Sequence, residues 1–300
     1  MQQKISVVIN TLNEEALIER VIKSVSWADE ILVCDMYSDD NTAVIARELG
    51  AKVIKHRRLS FVEPARNFAI QKAEHSWVLV LDPDEEVPDS LGSKLREIAN
   101  SNSVTTHVEI PRKNMIFGKW VKASMWWPDY NIRFFRKENI DWPDRIHLKP
   151  VTTGQGVQLP LEERFAIVHH HYTSISQFIQ KLDRYSSIQA KELFENGEKF
   201  KVSDLVQKPL NEFLSRFFAN KGYEDGIHGL ILGLLQAVSF LVVAIKVWEM
   251  EGFQSQRIEI QELKIQTERA GKDLHYWFNF ISLSTHPVKR LLQKAKNRIS

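Results

Sequence analysis

The sequence predicts an α/β fold: a mostly parallel sheet with helices on both faces, followed by a helical extension. Three observations carry this. Short apolar runs rich in β-branched residues alternate with amphipathic stretches over the first third of the chain. Short connections join them, which suits strand–helix–strand units around a covered parallel sheet. From Ser174 onward the strand pattern gives way to helical periodicity.

Taken in order, Ile5-Ser6-Val7-Val8-Ile9 reads as a buried first strand. Leu17, Ile18, Val21, Ile22 and Val25 then predict a helix over 14–25, and Ile31-Leu32-Val33-Cys34 a second strand. A second helix is expected over 42–49, with Asp40 or Asn41 as its cap and Gly50 placed to end it. Val53-Ile54 suggests a third strand. Pro64 opens a third helix where its missing N–H costs little. Trp77-Val78-Leu79-Val80-Leu81 is the fourth strand. Residues 105–172 read as short strands and loops holding Trp120, Trp126, Trp127 and Trp142, large aromatics that either pack the core or stack on a ligand.

Beyond them, Ile175, Phe178, Ile179, Leu182 and Tyr185 mark one amphipathic helix, and Leu210, Phe213, Leu214, Phe217 and Phe218 another. Residues 226–245 carry no formal charge and are long enough to span a bilayer as a helix. His228, Gln236, Gly229 and Gly233 fit a buried hairpin or an embedded monotopic helix equally well. Residues 254–275 are ambiguous between strand and helix. Tyr276, Trp277, Phe278, Phe280, Ile281 and Leu283 precede a stretch, 286–300, with Lys289, Arg290, Lys294, Lys296, Arg298 and no acid. Aromatics beside a basic run suit the surface of an anionic membrane.

The 300 residues are 43% hydrophobic and 26% charged, which excludes a disordered chain. A net charge of +2 argues against a dedicated nucleic-acid binder. The single cysteine, Cys34, excludes an intrachain disulfide and fits a reducing compartment. The start of the chain runs straight into a strand and reads without a signal peptide.

In parallel sheets ligands bind beyond the carboxyl ends of the strands. Asn10–Glu15 follows the first strand, Asp35–Asp40 the second and Asp82-Pro83-Asp84-Glu85-Glu86 the fourth. Carboxylates gathered at one edge repel unless a positive group sits among them. A magnesium or manganese ion fits, since both prefer oxygen ligands and share them with substrate phosphates. Asp82 and Asp84 are the candidate metal ligands. There is no G-x-x-x-x-G-K-[ST], and the one G-x-G, Gly154-Gln155-Gly156, lacks a third glycine. A P-loop kinase and a dinucleotide dehydrogenase are therefore disfavoured, as is a nucleotidyltransferase, because Asn10–Glu15 contains no glycine. In the run His169-His170-His171 alternate side chains face opposite sides of a strand, so the three do not converge on one ion. At most one is expected at a site.

The blocks Ser6–Glu14, Trp27–Asp35 with Ser38–Thr42, Pro64-Ala65-Arg66-Asn67-Phe68-Ala69, and Leu81–Glu85 resemble, in order and spacing, family 2 glycosyltransferases. Trp127–Phe135 and Gly222-Tyr223-Glu224-Asp225-Gly226 are similar to the subgroup containing lipopolysaccharide-core glycosyltransferases. The resemblance implies a GT-A fold, a nucleotide-sugar donor with UDP as the default, and a divalent metal, Mn or Mg. It places Thr11, Asn13 and Glu14 along the nucleotide pocket, Asp35 at the base or ribose, and Arg66 near base or phosphates. Asp82 and Asp84 match the family's metal-and-diphosphate motif, and Arg133 is a candidate phosphate contact.

The implied reaction inverts the sugar's anomeric carbon, with the metal stabilising the leaving diphosphate and a general base taking the acceptor's proton. Related proteins often carry His-Glu where this chain has His147-Leu148. Asp129, Asp144 and His147 are the candidate catalytic residues, Asp129 being favoured for its place in the Trp-Pro-Asp block. The expected organisation is a nucleotide-sugar-binding half (1–105), an acceptor-binding half (106–172) and a membrane-associated extension (173–300). The expected acceptor is a lipid-linked or other cell-envelope glycan, and the expected location the cytoplasmic face of the membrane, peripheral or monotopic. The alternative is a non-catalytic nucleotide- or lipid-binding scaffold in envelope glycan assembly.

Overall fold

The computed structural model describes residues 2–59, 63–101, 104–143 and 149–284. The candidate catalytic residues Asp144 and His147, and the basic stretch 286–300, lie outside them. The strands are β1 (Ile5–Thr11), β2 (Glu30–Asp35), β3 (Lys52–Lys55), β4 (Trp77–Leu81), β5 (Glu85–Glu86), β6 (Thr105–Ile116), β7 (Lys119–Trp120), β8 (Tyr130–Arg136), β9 (Ile140–Asp141), β10 (Val151–Thr152), β11 (Gln155–Gln158) and β12 (Ile167–Tyr172). The helices are α1 (Ile18–Ser24), α2 (Thr42–Glu48), α3 (Glu63–Lys72), α4 (Asp89–Asn100), α5 (Ile175–Glu195), α6 (Asp204–Phe213), α7 (Ile227–Met250) and α8 (Ile260–Ser284). The chain forms two compact units, residues 1–116 with 126–171, and residues 117–125 with 172–300.

The first unit is organised by a sheet in the order β3-β2-β1-β4-β8-β6-β12-β5. β1, β2, β3 and β4 are parallel, and β8 runs antiparallel to both β4 and β6. The parallel half is the one the alternating pattern predicts; the added strands make the whole sheet mixed. All seven residues of β1 and all five of β4 are buried, because helices cover both faces. Ile5, Val7 and Ile9 face one apolar cluster with Ile18, Val21, Leu91 and Leu95 from α1 and α4. Val8 faces the other, with Leu32, Val80, Ala69 and Ile70. This split follows from the two-residue period of a strand.

The second helix ends as expected, with Gly50 at φ +82. Asn41 is its N-cap residue and makes no side-chain capping bond; the Asp40 Oδ1 before it accepts from the Thr42 N–H at 3.0 Å. The middle of the chain differs from the short strands expected there. β6 runs for 12 residues through Pro111.

In the second unit α7 packs against both α5 and α6, and α8 against α6. Rings of Trp277 and Phe278 on α8 lie 5.9 and 5.1 Å from Phe218. The Gly-Tyr-Glu-Asp-Gly block has a structural explanation. The Asp225 carboxylate accepts from the backbone N–H groups of Lys122 and Ala123 at 3.0 and 2.7 Å. Gly229 lets the first turn of α7 approach this block, since a Cβ there would sit 1.8 Å from the Gly222 carbonyl oxygen. In α5 Phe178 is buried, whereas Ile175, Ile179 and Tyr185 are exposed, so only part of the predicted apolar face is covered. α7 is long and apolar enough to cross a membrane by length and composition, with a third of its most apolar window buried.

Candidate active site

The carboxyl ends of β1, β2 and β4 lie side by side, and the loops after β1 and β2 are laced together. Asn13 takes a left-handed conformation, φ 56, which asparagine tolerates better than most residues. Its N–H donates to Ser38 Oγ at 2.9 Å and its Oδ1 accepts from the Asp39 N–H at 2.8 Å. The Glu14 N–H donates to Thr42 Oγ1 at 2.8 Å. Asp35 is fully buried; its Oδ1 accepts from the Ser38 N–H, and Lys55 Nζ stands 3.1 Å from Oδ2. That ammonium also lies 4.9 Å from the centre of the exposed Tyr37 ring. Thr11 Oγ1 is buried without a partner. Thr11, Asn13, Glu14 and Asp35 thus sit on one edge.

The Asp-Pro-Asp segment divides its two acids between different tasks. Asp82 is clamped: Arg66 Nη2 donates to Oδ1 at 2.7 Å and Arg133 Nη2 to Oδ2 at 2.6 Å. Arg133 also donates to Glu85 Oε1 at 2.9 Å, and Glu85 Oε2 accepts from the Asp82 N–H at 3.0 Å. Arg112 reaches the same Glu85 oxygen at 3.4 Å and Asp129 Oδ2 at 2.8 Å. The result is an alternating series, Arg66, Asp82, Arg133, Glu85, Arg112, Asp129. Burial alone would raise the Asp82 carboxyl, but the two guanidinium groups outweigh it and hold it far below the usual carboxylate range. Asn67, from the Pro-Ala-Arg-Asn block, brackets Trp142: its Nδ2 donates to the Trp142 carbonyl at 2.8 Å and its Oδ1 accepts from the Trp142 N–H at 3.0 Å. The Arg66 guanidinium in turn lies 5.5 Å from the Trp142 ring centre. Trp142 is therefore a core residue, and the aromatic that supports Arg66.

Asp129, the base favoured from the sequence, is fully engaged. Oδ2 accepts from Arg112 and from Asn114 Nδ2 at 3.1 Å, and Oδ1 from Asn131 Nδ2 at 2.9 Å. Burial pushes its carboxyl up, while Arg112 and these hydrogen bonds pull it below the ordinary value. A carboxylate so held anchors Arg112 and is a weak proton acceptor.

Asp84 lies beside His169, the one member of the histidine run that reaches this edge. On β12 the side chains alternate: His170 pairs with Glu86 Oε1 at 2.7 Å, while His169 and His171 lie together, 3.3 Å between Nε2 and Nδ1. His169 Nδ1 is 2.7 Å from Asn114 Oδ1. Asn114 Nδ2 donates both to Asp129 and to the Trp126 carbonyl at 2.9 Å, so Oδ1 is the acceptor and His169 Nδ1 carries the proton. His169 Nε2 therefore lies between two groups, 3.3 Å from His171 Nδ1 and 3.5 Å from Asp84 Oδ2. An imidazole oriented from behind by an amide beside a carboxylate is a fitting donor set for a divalent ion. Among the described residues no three acidic, histidine or cysteine side chains gather around one point, so further ligands would come from the substrate. The two-residue period of the histidine run is the available signal for His169; Glu85 is marked only as one of the acids after β4, and nothing local marks Arg112 or Asn114.

A parallel β3-β2-β1-β4 half continued by antiparallel strands, with acids at its carboxyl edge, is the arrangement of a GT-A glycosyltransferase. Residues 6–149 match the family model described as glycosyl transferase family 2. The chain is 32% identical over 307 residues to an uncharacterized glycosyltransferase of Rickettsia typhi, covering 98% of this chain and 97% of the relative. It is 23% identical to the lipopolysaccharide core biosynthesis glycosyltransferase LpsC of Rhizobium meliloti, covering 84% of this chain and 94% of the relative. Among solved structures, the mannosyltransferase PcManGT of Pyrobaculum calidifontis, in complex with GDP-Man and Mn2+, superposes with a TM-score of 0.48 at 12% identity, covering 98% of this chain and 84% of that one. The chain belongs to glycosyl transferase family 2.

Proposed function

We propose that this glycosyltransferase is a metal-dependent inverting enzyme that moves a sugar from a nucleotide-sugar donor, UDP-linked by default, to a lipid-linked or cell-envelope glycan. The observation that carries the metal is the Asp84 carboxylate facing the oriented Nε2 of His169. In this reading Asp84 and His169 hold the ion, which supplies Lewis-acid stabilisation to the leaving diphosphate. Asp82 acts differently from the expectation that paired it with Asp84: it positions Arg66 and Arg133, whose guanidinium groups face the same charge. Thr11, Asn13, Glu14 and Asp35 line the nucleoside side. Residues 1–105 bind the donor and 106–172 the acceptor. With Asp129 engaged, the acceptor's proton falls to Asp144 or His147.

A thermal-shift panel of UDP-, GDP-, CDP- and dTDP-sugars, with and without manganese, tests this. One nucleotide is expected to raise Tm, and manganese to raise it further, since a ligand bound only to the native state stabilises it. Binding without release of nucleoside diphosphate on any envelope acceptor favours the scaffold alternative.

Membrane association is part of the proposal. Ile227, Ile231, Leu234, Val238 and Ile245 form an exposed stripe on α7, and Tyr276, Phe278 and Phe280 are exposed on α8. The basic residues of 286–300 add attraction to anionic lipid. The full chain is expected to stay with membranes in high salt and to leave them in detergent. Release by salt alone would count against an apolar contact.

A further inference from the structure

Asn10 stands at the carboxyl end of β1, opposite Cys34 of β2. It is 3% exposed, and neither its amide nitrogen nor its amide oxygen has a hydrogen-bond partner. Burying such a group unpaired is costly, and native folds leave few of them. The next residue, Thr11, repeats the pattern with a buried, unpartnered Oγ1. Asn10 follows Ile9, whose neighbour on β4 is Leu81, so the strand register carries Asn10 alongside Asp82. It shares the β1 face of Val8, the face packed against Ala69 and Ile70 of α3. The adjacent Cys34 thiol is pushed up to about 12 by burial and by Asp35, so it stays protonated and offers the amide little.

The chemistry of the missing partner can be narrowed. An amide presents a donor and an acceptor together. A diphosphate has only acceptors and would leave the Asn10 oxygen unpaired. Diphosphate suits Arg66 and Arg133 instead, each of which has a buried Nε–H without a partner. Complementing the amide takes a planar group with its own donor beside an acceptor, as on the pairing edge of a nucleobase. We infer that Asn10 is a specificity-determining residue that reads the base of the donor nucleotide, with local rearrangement of the sheet edge on binding. The inference rests on the nucleotide-sugar reading above and adds a residue that reading does not use.

Isothermal titration of the full chain and of Asn10→Leu with UDP, GDP, CDP and inorganic pyrophosphate, all with manganese, tests it. Asn10→Leu is expected to lose tenfold or more in affinity for the nucleotide the parent prefers, and to bind pyrophosphate unchanged. Its melting temperature without ligand is expected to hold or rise, because an apolar side chain of similar size removes the orphaned amide. A lower melting temperature with unchanged nucleotide affinity overturns the inference and makes the amide structural. An equal loss for pyrophosphate overturns it too. If the parent chain binds no nucleoside diphosphate, the nucleotide-sugar reading itself fails, which is a separate result.

Discussion

Arg133→Met is expected to cost about 3–5 kcal/mol of folding stability, read as a lower urea midpoint at unchanged m-value. Arg133 is 5% exposed, and its Nη2 lies between Asp82 Oδ2 and Glu85 Oε1. Glu85 is completely buried. Burial opposes the Arg133 charge, but the two carboxylates more than offset it and keep the guanidinium firmly protonated. Methionine fills much of the same volume, so packing is largely kept. What changes is that Asp82 and Glu85 lose the cation between them. Removing one member of a buried pair costs more than the pair contributes, because the remaining charge is left in a poor solvent. A Glu85→Gln/Arg133→Met double variant should therefore recover part of the loss. A single-variant cost below about 1 kcal/mol would mean that water screens the series and that it does not hold the edge together.

The elements that could be read from the sequence are those whose signal is local. β4 was delimited to the residue, because five apolar residues in a row are what a strand covered on both faces requires. β6 was not, because Pro111 and interspersed polar residues break its pattern, and its neighbours β8 and β11 come from well downstream. The same reasoning applies to the site. That Asp82 and Asp84 follow a buried strand was visible. That Asp82 is taken by Arg66 and Arg133, sixteen and fifty-one positions away, was not. Asp129 reads as available because Arg112 and Asn114 reach it only once β6 and β8 are paired. The alternation along β12 correctly separates His170 from His169 and His171, yet only the fold brings His169 to Asp84.

The unequal roles of the two aspartates give the second large effect. Asp84→Ala is expected to lower turnover at least about a hundredfold, since even residues behind a metal ligand are worth about 10–100-fold. Its stability should change by about 1 kcal/mol or less, because the Asp84 side chain is partly exposed and stands outside the arginine–carboxylate series that Asp82 belongs to. Manganese affinity measured in the presence of UDP should fall with turnover, and His169→Ala should lower it as well. Asp82→Ala should behave in the opposite sense. It strips two guanidinium groups of their shared partner, so unfolding in urea should register it first, by several kcal/mol. Equal manganese affinity in Asp84→Ala and the parent would remove the ion from this pair. If Asp82→Ala instead lost manganese affinity at unchanged stability, the ion would belong with Asp82, displacing its arginines when it binds. The contrast between the two variants therefore decides which carboxylate of Asp82-Pro83-Asp84 serves the ion and which serves the fold.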